Sequence, residues 1–169
     1  MERILIGKLN EHKGETVKVS CIVSVARQQG KMAFFDFRDR SGTIQGIVFG
    51  KPEVLEVAKE LSQEYSITVT GIVNERPDKM INNKVQNGNI ELEITDIEVL
   101  NKAVAMPFDF DAEFALDTLL DNRPLILRRE RERAIFKVQH EILAAYRAFL
   151  SDEGFMEFQA PKLVGGDAE

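Results

Sequence analysis

The stretch from Val17 to Phe49, VKVSCIVSVARQQGKMAFFDFRDRSGTIQGIVF, constrains the fold more than any other part of the chain. Val17, Val19, Cys21, Val23 and Val25 alternate with Lys18, Ser20, Ile22, Ser24 and Ala26, the period of a half-buried strand with one face in a core. Two further runs are joined by Asp39-Arg40-Ser41-Gly42, a polar turn with Gly where a positive φ is expected. Pairing Arg38 with Thr43 sets Phe37 opposite Ile44, Asp36 opposite Gln45 and Phe35 opposite Gly46. Side chains alternate between faces, so Phe35, Phe37, Ile44 and Val48 point inward while Phe34, Asp36, Arg38 and Gln45 share the outer face. A slip of one residue would exchange Phe34 and Phe35.

That outer face has the parts of a single-strand reader. Phe34 offers a ring on which an unpaired base can stack, the Gln45 amide can donate to and accept from a base edge, and Arg27 and Lys31 in the preceding loop can hold phosphate. A plainer reading is also open: Phe34 covers a sheet edge or packs under the N-terminal segment, and the charges are solvated.

The net charge of −6 argues against non-specific nucleic-acid binding, which gains affinity by releasing counterions and favours basic chains. A nucleic-acid partner would have to be held by shape and base contacts, with few phosphate contacts, or by a larger assembly. The chain's 169 residues, 44% hydrophobic, suffice for one good core and part of another. Cys21 falls mid-strand on the core face and reads as a small buried apolar residue. With His12 and His140 the only histidines, a Cys/His zinc site is not expected. No N-terminal signal or long apolar run is present, so a cytoplasmic protein is expected.

Around the central stretch, Ile4, Leu5, Leu9 and a closing Gly14 predict a short helix lying across the sheet or closing one end of it. Pro52 followed by Val54, Leu55, Ala58 and Leu61 predicts a packing helix. SITVTGIVNER supplies a fourth strand, residues 77–89 a long polar loop, and IELEITDIEVL a fifth strand. Three strands, a helix and two more strands give the order of a five-stranded OB-fold, a Greek-key barrel that commonly binds oligonucleotides. The expected fold class is mainly β with α, the barrel occupying residues 1–104.

Residues 105–122, with Pro107 and a run of acids, read as a hinge ordered by its aromatic side chains. From Arg123 one helix is expected, running to Gly154. Ile135, Val138, Ile142, Ala145 and Phe149 form one apolar stripe on it, and Phe136, Leu143 and Leu150 a second, so it should be covered on both sides. Arg123, Arg128, Arg129, Arg131 and Arg133 are partly matched by Glu130 and Glu132 and read as an ion-paired helix start, with a phosphate site the lesser alternative. Phe155, Glu157 and Gln159 predict a strand stopped by Pro161. No P-loop, dinucleotide fingerprint, nucleophile elbow or metal-ligand cluster occurs, so no catalytic residue is assigned.

Together, RQQGKMAFFDFRDRSGTIQ, LLDNRPLILRR, AIFKVQ and GFMEFQAPKLVGGDAE resemble the N-terminal part of a class II aspartyl-tRNA synthetase of the compact type shared with archaea. Asparaginyl-tRNA synthetase is the close alternative, and lysyl-tRNA synthetase fits RDRSG less well. The resemblance implies that residues 1–104 bind an anticodon, with Phe34 stacking on a base, Gln45 reading the central uridine region, and Arg27 and Lys31 supplying charge. It implies that residues 123–169 open a truncated catalytic domain, with Ile135, Ile142, Phe149 and Pro161 at a homodimer interface and Glu169 in the loop over the amino-acid pocket. It implies tRNA of Asp or Asn type as partner, and ATP and Mg as cofactors of the full-length enzyme. The second and third motifs, which carry the ATP and metal residues, are absent, so the 169 residues are expected to be inactive alone. Departures are Cys21-Ile22 for Gly-Trp, a missing arginine near Val25, Ile126 for Asp and Ala160 for Thr. A free-standing single-strand-binding module and a dimerising fragment with an idle barrel face remain as alternatives.

Overall fold

The alternation read between Val17 and Val23 does form a strand, β1 (Thr16–Gln29), whose Val17, Val19, Cys21 and Val23 are buried. The structure, a computed structural model, describes residues 2–161, 163 and 166. The chain forms two compact units, Met1–Ala105 and Met106–Glu169.

In the first unit β1 is followed by β2 (Met32–Asp39), β3 (Gly42–Phe49), helix α1 (Pro52–Lys59), β4 (Ser66–Glu75) and β5 (Ile90–Asn101). The strands close into a barrel in the order β1-β2-β3-β5-β4, in which β3 and β5 are parallel and the other pairs antiparallel. This is the OB-fold expected from the element order. The β2–β3 register is the one read from the sequence, with Arg38 on Thr43, Phe37 on Ile44, Asp36 on Gln45 and Phe35 on Gly46. Inside, the Phe35 and Phe37 rings stack with centroids 5.5 Å apart. Gly46 is needed there, because a Cβ at that position would overlap the Phe37 ring. Burial pushes the Cys21 thiol up to about 12, with the nearby Asp39 charge adding to the effect, so it packs as an inert apolar group.

Two local features depart from the expected pattern. The β1–β2 register shifts between Val23 and Val25, a bulge, and Val25 is 41% exposed instead of facing the core. Gly42 does not adopt a positive φ. The turn is tied instead by Asp39, whose Oδ1 accepts from the Ser41 N–H (2.7 Å), the Ser41 hydroxyl (2.6 Å) and the Gly42 N–H (3.2 Å).

The other Asp39 oxygen accepts from the Ile6 N–H at 2.9 Å, and the Gly7 N–H donates to Ser41 Oγ at 2.8 Å. These bonds dock a 3₁₀ helix, Ile6–His12, against the turn, with Ile6 and Leu9 in the barrel core. Burial alone would raise the Asp39 pKa. The bonds from the Ser41 hydroxyl and from the backbone of Ile6, Ser41 and Gly42 outweigh it and hold the carboxyl below its ordinary value. The folded pKa is therefore lower than the unfolded one, so the charged carboxylate stabilises the fold above about pH 4, and this stability is lost as pH falls through the folded pKa. Urea midpoints measured from pH 5 to pH 2 should fall less steeply in Asp39→Asn than in wild type. Equal slopes would remove Asp39 from the acid response.

The second unit contains α2 (Leu116–Asp121), α3 (Arg123–Ile126) and α4 (Glu130–Asp152). The single helix expected from Arg123 is thus broken: Arg129 is extended, with ψ 142°, and α4 starts after it. The Arg129 side chain explains the break. It donates to Ala112 O at 3.0 Å, lies 3.4 Å from Glu132 Oε2 and covers the Phe114 ring at 4.8 Å. Phe108 meets Phe110 and Phe114 edge to face, so residues 108–114 are ordered by aromatic packing. The expected strand through Phe155, Glu157 and Gln159 does not form. A strand needs a neighbour to supply its hydrogen bonds, and the second unit holds none among the described residues.

Candidate nucleic-acid interface

The outer face of β1, β2 and β3 is built in rows. Arg27, Phe34 and Ile47 are direct cross-strand neighbours, and Val25, Asp36 and Gln45 form the next row. Arg27 therefore lies in β1, where a preceding loop had been expected. The bulge accounts for its position. Unbroken alternation from Val23 would turn Arg27 inward, and the shift between Val23 and Val25 turns it onto the face of Phe34. Phe34 is half-buried and stands outside the buried core, so part of its ring is open to stacking. Lys31 is exposed in the β1–β2 turn, at the other end of β2 from Asp39, and does not join the Gln45 row.

The bulge is fastened from behind. The Val23 carbonyl accepts from the Glu64 N–H at 2.8 Å, and the Val23 N–H donates to Tyr65 O at 3.0 Å. Glu64, buried at φ 68°, places its carboxylate against Arg38, whose Nη2 lies 2.7 Å from Oε1 and 2.8 Å from Oε2. Arg38 also donates to Ser24 Oγ at 3.1 Å, inside the bulge itself.

Beside the second row lies a cleft of about 420 Å³, lined by Arg27, Asp36, Gln45, Arg76, Asn82 and Gln86 among others. Arg76, the residue after β4, was not singled out in the sequence. Its side chain is 10% exposed, and its Nη2 donates to Gln45 Oε1. A guanidinium only donates, so this contact turns the Gln45 carbonyl inward and leaves its NH₂ to donate into the cleft. Gln45 is thereby set to meet an acceptor, such as a carbonyl oxygen on a pyrimidine edge. Arg76 Nε lies 3.5 Å from Glu91 Oε2, an ion pair without hydrogen-bond geometry.

Asn82 and residues 85–88 complete the cleft wall and are anchored by Asn87, a second residue the sequence reading passed over. Asn87 is buried at φ 56°, a conformation that Asn tolerates. Its Nδ2 donates to Ile6 O (3.1 Å) and Thr43 O (2.9 Å), and its Oδ1 accepts from Asn10 (2.8 Å). The Asn-Gly pair at 87–88 was the available signal, since such pairs mark turns with positive φ.

The cleft is electrically balanced. Arg27 donates from Nη2 to both Asp36 oxygens, at 3.2 and 3.1 Å, and Arg76 faces Glu91. Such a cleft suits the reading of bases more than the holding of phosphates.

In the second unit Ile135, Ile142 and Phe149 are 61, 63 and 62% exposed, and Pro161 is exposed. Glu169 lies outside the described residues. Among the described residues no helix is long and apolar enough to cross a membrane, and no group of His, Cys, Asp and Glu is placed to hold a metal.

Two family profiles match the sequence: residues 7–100 match one described as OB-fold nucleic acid binding domain, and residues 115–169 one described as tRNA synthetases class II (D, K and N). An aspartate–tRNA(Asp/Asn) ligase from Corynebacterium aurimucosum is 39% identical over 171 residues, covering 98% of this chain and 28% of its own length. An aspartate–tRNA ligase from Shouchella clausii is 35% identical, covering 92% of this chain and 27% of its own length. Among solved structures, an asparaginyl-tRNA synthetase from Pyrococcus horikoshii, complexed with asparaginyl-adenylate, superposes with a TM-score of 0.83 at 29% identity. The match covers 98% of this chain and 38% of that one. The chain thus spans under a third of the two ligases and under half of the synthetase.

Proposed function

The chain belongs to the OB-fold nucleic acid binding domain family and continues into class II (D, K and N) tRNA synthetase sequence, and from that membership we propose that it recognises the anticodon for an aspartate–tRNA ligase. Residues 1–104 form the anticodon-binding domain, residues 105–122 the hinge and residues 123–169 the opening of the catalytic domain. Phe34 stacks on an anticodon base, and Gln45 donates to the central uridine. Arg27 and Lys31 supply charge beside the bound strand. The observation that carries this reading is the Arg76–Gln45 contact beside a half-buried Phe34, which sets one donor and one stacking ring on the same face.

The parent reaction is ATP-dependent attachment of aspartate to tRNA in the cytoplasm, with Mg as its metal. The described residues offer no metal-holding group, so no step through ATP or Mg is assigned to them. The exposed stripe of Ile135, Ile142 and Phe149, with Pro161, packs against a second copy in a homodimer. Sedimentation of wild type should then show a dimer that Ile142→Asp dissociates. A monomeric wild type would remove the assignment.

Asparagine specificity is the second reading, favoured by the asparaginyl-tRNA synthetase superposition. Equilibrium binding of tRNAs with GUC, GUU and unrelated anticodons tests both. Preference for GUC supports the aspartate reading and preference for GUU the asparagine one, while equal binding of these two over the third marks a ligase serving both. Equal binding of all three would overturn anticodon recognition and leave a general single-strand module.

A further inference from the structure

A balanced base-reading cleft leaves open where the protein meets the charge of a nucleic acid, which carries one phosphate per nucleotide. The first unit pairs the cations of its reading face and cleft internally: Arg27 with Asp36, Arg38 with Glu64 and Arg76 with Glu91. One place differs. A pocket of about 680 Å³ is lined by Arg3, Ile4, Leu5, Lys8, His12 and Arg40, four of them basic. His12 has a carboxylate partner, Glu15, at 2.8 Å. Arg3, Lys8 and Arg40 have no ion-pair partner among the described residues.

The pocket is held in shape. A parallel bridge between Arg3 and Lys18 fixes Arg3, and the 3₁₀ helix carrying Lys8 is bound to the β2–β3 turn through Asp39 and Ser41. Gly7 permits this contact, since a Cβ there would sit 3.0 Å from Ser41 O. Arg40 is on that turn, and the turn's far side reaches the cleft, where Gln86 donates to Ser41 O at 3.1 Å. Gln45 lies three strand steps from Gly42, about 10 Å at the usual rise. A strand lying on Phe34 and Gln45 would carry its backbone to this pocket within about two nucleotides.

We propose that Arg3, Lys8 and Arg40 form a phosphate-binding site that takes internucleotide phosphates of the RNA whose bases occupy the β1–β3 face. This inference rests on the anticodon reading for the RNA's identity, while the site itself rests on its unpaired cations and its continuity with the cleft. It supplies the counterion-release part of binding that the balanced cleft lacks.

The test is the salt dependence of binding of an anticodon stem-loop with GUC and one with an unrelated loop, by the 169-residue chain. Wild type is compared with Arg3→Ala/Lys8→Ala/Arg40→Ala, with the charge-keeping Arg3→Lys/Lys8→Arg/Arg40→Lys, and with Lys51→Ala/Lys59→Ala/Lys102→Ala, which removes equal charge around α1. The alanine triple at the pocket should weaken both RNAs alike, about tenfold or more at low salt. It should also reduce the slope of log K against log salt by roughly 1.5, at about 0.7 per single-strand phosphate. The charge-keeping triple and the α1 triple should retain the wild-type slope.

An unchanged slope in the pocket triple, with anticodon preference intact in wild type, would overturn the phosphate site and leave the anticodon reading standing. A reduced slope with no anticodon preference in wild type would do the reverse. Absence of binding to either RNA overturns both. In a separate arm, inorganic phosphate is titrated while the amide resonances of residues 3–12 and 40 are followed. Saturation below millimolar phosphate would assign the pocket to a free anion and overturn the RNA source.

Discussion

Replacing Arg38 with alanine should destabilise the barrel by about 3 to 5 kcal/mol, the usual cost of removing one partner from a buried ion pair. The Glu64 carboxylate is 3% exposed and receives Arg38 Nη2 on both oxygens, so the variant buries a carboxylate that has lost its guanidinium. Glu64→Gln should cost less, because a neutral amide of the same size can still accept from Arg38. Arg38→Met/Glu64→Leu, which removes both charges and keeps the volume, should recover much of the loss. Urea unfolding read from barrel amide resonances measures all three. If Arg38→Ala lowers stability by less than 1 kcal/mol, the pair is not the fastening that the geometry describes. Partial opening of the bulge should also turn Arg27 away from Phe34, so the variant should weaken RNA binding under conditions where it is still folded.

The hairpin was legible because its pattern is local and over-determined. Alternation from the Asp39–Gly42 turn carries Phe35 and Phe37 onto one face, and Gly46 opposite Phe35 leaves room for the Phe37 ring there and not for a register one residue away. The bulge was not legible from β1 alone. It depends on Glu64, some forty positions later in the chain, taking a left-handed conformation and meeting Arg38 over β1. Arg27 could thus be named as a candidate but assigned only to a loop. Arg76 was hidden for a similar reason: nothing in its neighbours along the chain marks it, and only closure of the barrel brings it onto Gln45. Asn87 sat in a polar stretch read as a loop, where the partners Ile6, Asn10 and Thr43 are all distant in sequence. In the second unit, periodicity found the helix and its two apolar stripes, but the stripes expected to be covered on both sides stand exposed at Ile135, Ile142 and Phe149 and at Phe136 and Leu143, and the break at Arg129, where that side chain meets Ala112 and Phe114, was not legible.

The second large effect concerns Phe34. Its position between Arg27 and Ile47 on the outer face gives a half-buried planar apolar surface, flanked by the Gln45 amide in the next row. Loss of one stacked base costs roughly 1 to 3 kcal/mol, about 5- to 150-fold in affinity. Phe34 contributes little to the core, so Phe34→Ala should fold as wild type does. Phe34→Tyr should bind nearly as well as wild type, since it keeps the ring. The most direct test of anticodon recognition is therefore the dissociation constant of a GUC anticodon stem-loop for wild type, Phe34→Ala and Phe34→Tyr. A loss of 5-fold or more in the alanine variant, restored by tyrosine, is the expected result. Equal affinity in all three would show that the face carrying Phe34 and Gln45 does not read RNA.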